Sequence, residues 1–174
     1  KHLEMNEQLS RQYQGIQKTK TDLLNKIKTV DEEQLNRKPT DGSWSLGQVY
    51  YHCYLAEYGT IKTIEKNLKE NKVKLQSEFA DKIRNILLLI VLKSPLKFKA
   101  PAVVQKVPEH ITYNEIEELY ADSTNDFNKI LASLPVSLID KRIFKHPIAG
   151  LFNIEQTLNF VGEHYKHHIM QIDR

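Results

Sequence analysis

Near the C-terminal side of the sequence, EHYKHHIMQI at 163–172 places three of the chain's seven histidines within five positions. An imidazole on a helix can sit in water, pack in a core through a hydrogen bond, or give a ring nitrogen to a metal. Its direction helps to separate these roles, because a helix turns about 100° per residue. Ile154, Leu158, Val161, Tyr165, His168 and Ile172 recur at spacings of four and three, which is a core seam containing a histidine. His168 lies about 40° from the seam centre and His164 about 80° on the same side. His167 lies about 140° away and is predicted to face water. Gln171, about 100° away, stands at the margin one turn beyond His168.

His164 and His168 therefore form an i, i+4 pair, with Cβ atoms about 5–6 Å apart. Two ring nitrogens can converge from such positions on one ion at roughly 2.0–2.1 Å. An earlier segment offers a third. Leu46, Val49, Cys53, Ala56 and Thr60 make a second seam, and His52 lies about 80° from its centre. Three imidazoles from two helices leave a fourth position for water or substrate, as catalytic zinc-type sites do. The competing reading is a set of hydrogen-bonded core histidines, and periodicity leaves both open. Cys53 reads as a small seam hydrophobe. Glu57 and Glu155 are candidates to support the site from behind the ligands, but their helix directions do not favour them strongly. No carboxylate stands out as a general base.

These side chains need long helices to position them. The first is predicted over about residues 3–29, followed by a connector with one helical turn after Asp31. Ser45 and Gln48 fit a capping box, with Trp44 and Val49 as its hydrophobic staple. Gln48 and Trp44 thus have local roles at the start of a helix that runs to about residue 70. A shorter helix is predicted at 78–93, and a proline-containing loop at 94–111. Thr112 and Glu115 form a second capping box, opening a helix that ends near Leu134. Residues 135–152 read as a connector, and the last helix starts after Asn153. The prediction is an all-α chain, a four-helix bundle with one short extra helix and a crossover connection at the wide loop.

The chain has 174 residues, which suits a single domain over 1–174. A net charge of +3 is too mild to indicate nucleic acid, and the lysines of KSPLKFK at 93–99 read as a solvated loop. The longest apolar run, ILLLIVL at 86–92, is too short for a bilayer, which takes roughly twenty residues. No membrane partner is predicted. The single cysteine allows no intramolecular disulfide, and KHLEMNEQLS at the start has no apolar signal region. Both point to the cytoplasm.

WSLGQVYYHCYLAE at 44–57 and GEHYKHHIMQI at 162–172 resemble the two signatures of the DinB-like superfamily. HPIAGLFNIEQTLNFVGEH at 146–164 is similar to the region before its second signature. The resemblance runs from about residue 8 onward. It implies a four-helix bundle with a down-up-up-down order and a divalent metal, nickel or zinc, held by three histidines. Residue by residue these are His52, His164 and His168, with Trp44, Gln48 and Gln171 beside the ion or lining its pocket. Characterised members include metal-dependent S-transferases that use low-molecular-weight thiols, and others described as hydrolases. The chain is accordingly predicted to be a metal-dependent small-molecule enzyme. The alternative is a non-catalytic helical module, dimerising or ligand-binding, with structural histidines.

Other chemistries lack their motifs. No histidine follows a glutamate by three residues, which removes the di-iron pattern, and H-E-x-x-H is absent. Neither phosphate-cradling glycine loop occurs, nor does the G-x-S-x-G nucleophile elbow.

Overall fold

Side-chain caps set where the long helices begin. Ser45 Oγ accepts from Gln48 N–H while Gln48 Oε1 accepts from Ser45 N–H. Thr112 and Glu115 exchange the same two bonds. Asn153 and Gln156 make a third reciprocal pair. Each satisfies two backbone donors that a helix start leaves unpaired.

The computed structural model describes residues 2–40, 42–73 and 106–172, and residues 83, 86–88 and 90 between them. The helices with defined bounds are α1 (His2–Ile27), α2 (Glu32–Asn36), α3 (Leu46–Lys69), α4 (Tyr113–Ser133) and α5 (Ile154–Ile172). Asp31 caps α2 by accepting from Gln34 N–H at 2.7 Å. Residues 83, 86–88 and 90 are helical, in keeping with the predicted insert. The rest of that predicted helix, and the loop over 94–105 with its lysines, lie outside the described residues.

Cross-helix partners fix the directions. Gln17 meets Asn128 and Lys20 meets Thr124, so α1 and α4 are antiparallel. Gln12 meets Asn159, and Ile16 lies against Gly162, so α1 and α5 are parallel. Tyr50 stacks on Tyr120 and Glu57 meets Ser123, so α3 and α4 are parallel. Glu57 meets Tyr165 while His52 meets His168, so α3 and α5 are antiparallel. The order is down-up-up-down. Both α1 and α3 pack against α4 and α5, so α1 faces α3 along the diagonal.

The core carries a buried charged group at its centre. Glu57 accepts from Tyr13 Oη at 2.9 Å, Lys20 Nζ at 2.7 Å, Ser123 Oγ at 3.0 Å and Tyr165 Oη at 2.8 Å. Lys20 also donates to Thr124 Oγ1 at 2.7 Å. All four long helices contribute. Burial pulls the Lys20 ammonium pKa down, and Glu57 works against that shift. A buried ion pair persists only when its remaining donors and acceptors are filled, as they are here.

The predicted connector at 135–152 needs correcting. It holds a 3-10 turn at Val136–Leu138 and an antiparallel hairpin, β1 (Phe144–His146) with β2 (Gly150–Phe152). The strands are three residues each, too short for alternation to register. Gly150 closes the turn at φ +84, a conformation that glycine adopts without Cβ strain.

Candidate metal centre

The centre forms where the start of α3 meets the far end of α5. The Ser45 cap and the buried Gln48 hold the first turn of α3, and Gln48 Nε2 also donates to Pro108 O at 3.0 Å. That bond ties the loop before α4 to the helix carrying His52. The antiparallel packing of α3 on α5 then sets His52 opposite both histidines of the i, i+4 pair.

His52 and His168 are buried and His164 is half-buried. Ring centroids lie 5.1 Å apart for His52 and His164, 4.9 Å for His52 and His168, and 4.7 Å for His164 and His168. The Nε2 atoms of His52 and His164 approach to 3.2 Å. One ligand nitrogen from each of the three falls within 4.8 Å of the others. A tetrahedral ion with metal–nitrogen distances of 2.0–2.1 Å needs nitrogens about 3.3–3.4 Å apart. One pair already stands near that spacing. Burial, and then the neighbouring His168 and His52, push the His164 pKa well below its ordinary value. Its ring is therefore neutral, the state that ligation requires. A set of three imidazole nitrogens suits zinc, nickel, copper or iron rather than magnesium or calcium.

The other predicted residues divide. The half-buried Trp44 indole packs 4.9 Å from the His52 ring and walls the site. Gln48 is spent on the cap and on Pro108. The side chain of Gln171 lies outside the described residues. His167 is half-buried rather than fully in water, its ring 5.2 Å from His168, and it is not part of the cluster. Cys53 is buried, and burial with the nearby Glu57 pushes its thiol pKa up, which removes it as a nucleophile. Glu57 belongs to the central network. Glu155 is exposed at the start of α5, about 13 Å of helix rise from His164.

Sequence reasoning missed His146 as a buried ring. Its Nδ1 accepts from Ile148 N–H at 3.2 Å and Ala149 N–H at 3.0 Å, which holds the hairpin turn. Phe144, Phe152 and Phe160 surround it, and Phe160 in turn lies 5.8 Å from His164. Burial pushes the His146 pKa down to about 4. No local signal marks it, because its three-residue strand is too short for alternation to register.

The family model of the DinB superfamily matches residues 16–172. The chain belongs to the DinB superfamily. A relative in Bacillus subtilis (strain 168), the uncharacterized protein YuaE, is 23% identical over 148 residues, covering 85% of this chain and 86% of its own. Among solved structures, YfiT from Bacillus subtilis aligns with a TM-score of 0.52 and 16% identity, over 96% of this chain and 85% of its own. YfiT is described as a probable metal-dependent hydrolase with an unusual four-helix bundle topology. At that identity the likeness shows the four-helix-bundle fold alone, and the hydrolase description remains that of YfiT.

Proposed function

We propose that this DinB-family chain is a divalent-metal-dependent enzyme acting on a small molecule, by thiol S-transfer or by hydrolysis. His52, His164 and His168 are its ligands, and nickel or zinc is the ion. The observation that carries this reading is the 3.2 Å approach of His52 Nε2 to His164 Nε2, with His168 beside them and no carboxylate in the cluster among the described residues. A bound ion of this kind would hold a thiol as thiolate, or lower the pKa of a bound water towards 7. The chain supplies three imidazole nitrogens, two of them on the buried rings of His52 and His168, and apolar walls from Trp44 and Phe160. A low-molecular-weight thiol fits this site as substrate, and the lone, buried Cys53 fits a reducing cytoplasm.

The test is metal analysis of protein purified without an affinity tag, coupled to thiol-conjugation and ester- or amide-hydrolysis assays on the same sample. The reading expects about one nickel or zinc per chain and a turnover that chelation removes and metal restores. A folded protein that takes up no divalent metal overturns it.

A further inference from the structure

The apolar run at 86–92 is predicted to be too short to span a bilayer, and among the described residues no helix is long and apolar enough to cross one. Four apolar residues in and beside that run are nevertheless bare. Ile83, Ile86, Leu87 and Ile90 are 44%, 60%, 54% and 59% exposed. They are helical and spaced at i, i+3, i+4 and i+7, which puts them within about 100° of arc on one face. Leu88 points about 150° from the centre of that face and packs against the core. The helix thus has one side on the bundle and a second apolar side towards solvent. Single exposed aliphatics need no explanation, but a contiguous stripe marks a contact surface.

Charge identifies what covers it. Residues 74–106 hold seven Lys or Arg against two Asp or Glu, a surplus of five. The whole chain holds 25 against 22, so the remainder is net negative by two. All the positive surplus is gathered in the sequence around the bare stripe. A second copy docking through this face would bring two strongly positive segments together, and like charges oppose that pairing. An anionic bilayer surface complements both features. The aliphatic stripe enters the headgroup boundary, and the positive surplus of the surrounding sequence favours lipid phosphates over a second basic surface. We propose that the Ile83–Ile90 stripe docks the protein onto the surface of an anionic membrane, lying in the interface without crossing it.

The experiment is co-sedimentation of the full chain with phosphatidylcholine vesicles, with and without phosphatidylglycerol, at low and high salt. It is run beside an Ile86→Glu/Leu87→Glu variant. Both changed residues are more than half exposed, and circular dichroism and melting temperature check that the variant keeps its fold. Binding is expected only to phosphatidylglycerol vesicles, weakening as salt rises, with a loss of about tenfold or more in the variant. Three results overturn the proposal. They are no binding by the parent chain, equal binding by parent and variant, and a parent dimer that the substitutions convert to monomer without any vesicle binding. The last would assign the stripe to a second copy.

Discussion

Glu57 on α3 and Tyr165 on α5 meet at 2.8 Å in the centre of the core, and His164, the neighbour of Tyr165, meets His52, which lies five positions before Glu57. The same antiparallel register that completes the carboxylate's hydrogen bonds also brings the imidazoles together. Structural and chemical clusters therefore share one helix pairing.

Removing a ligand separates the metal reading from a merely polar cluster. His52→Ala, His164→Ala and His168→Ala should each weaken zinc or nickel binding by more than about 100-fold, since changes even to groups behind the ligands cost 10–100-fold. His167→Ala should leave the affinity nearly unchanged. Calorimetric titration of metal into the apo-protein measures this. Equal losses at 167 and 168 would mean the faces of α5 are assigned wrongly.

The central ion pair gives a stability prediction. Lys20→Met leaves the Glu57 carboxylate buried with hydroxyl donors alone, and removing one partner of a buried pair costs about 3–5 kcal/mol. Adding Glu57→Gln removes the second charge, keeps an amide oxygen to accept from Tyr165 and turns an amide N–H towards the Tyr13 hydroxyl oxygen. The double variant should recover at least half of the loss in urea unfolding. A single variant as stable as the parent would show the pair to be energetically idle.

Stability should fall in acid through His146. Its folded pKa is about 4, against an ordinary 6.5, so the unfolded chain takes up the proton first. The contribution is complete above pH 6.5 and is lost as pH drops from there towards 4, by about 1.4 kcal/mol per pH unit within that window. His146→Asn keeps an acceptor near the Nδ1 position and removes the titration. Its stability-versus-pH curve should be flatter than the parent's over that interval. Parallel curves would rule His146 out.

Two helical glycines should respond in opposite directions to alanine. A Cβ at Gly47 would stand 2.7 Å from Ile111 Cγ2 and 3.3 Å from Leu35 O, so Gly47→Ala should destabilise by about 1–3 kcal/mol. Gly59 has nothing within 4 Å of such an atom, and Gly59→Ala should stabilise by about 0.5–1 kcal/mol. Denaturant midpoints of the two variants check the contrast.

Much of the architecture was legible because helix signals are local. The Ser45–Gln48 and Thr112–Glu115 boxes marked two helix starts at the residues where they occur. The wheel positions of His52, His164 and His168 sufficed to bring those rings to one side of two helices. What stayed hidden depends on partners distant in sequence. Lys20 falls by spacing on the apolar face of α1, but the partners that satisfy it there, Glu57, Ser123 and Thr124, come from other helices. The hairpin at 144–152 lacks an Asn-Gly or Asp-Gly turn, and its strands are too short to show a period of two. The wheel also sent His167 fully to water, because an ideal helix wheel cannot anticipate a neighbouring ring 5.2 Å away.

His52 and His164 are 112 positions apart in the chain. A growing polypeptide that has released only α3 presents a lone imidazole, a weak trap for any cation. Tight capture waits until α5 has been made and seated, and it must await closure of that long loop. Uptake of the proposed ion would then signal completed folding. A cell that loads the proposed ion into this protein would, in the same act, check that two helices far apart in the chain have found each other.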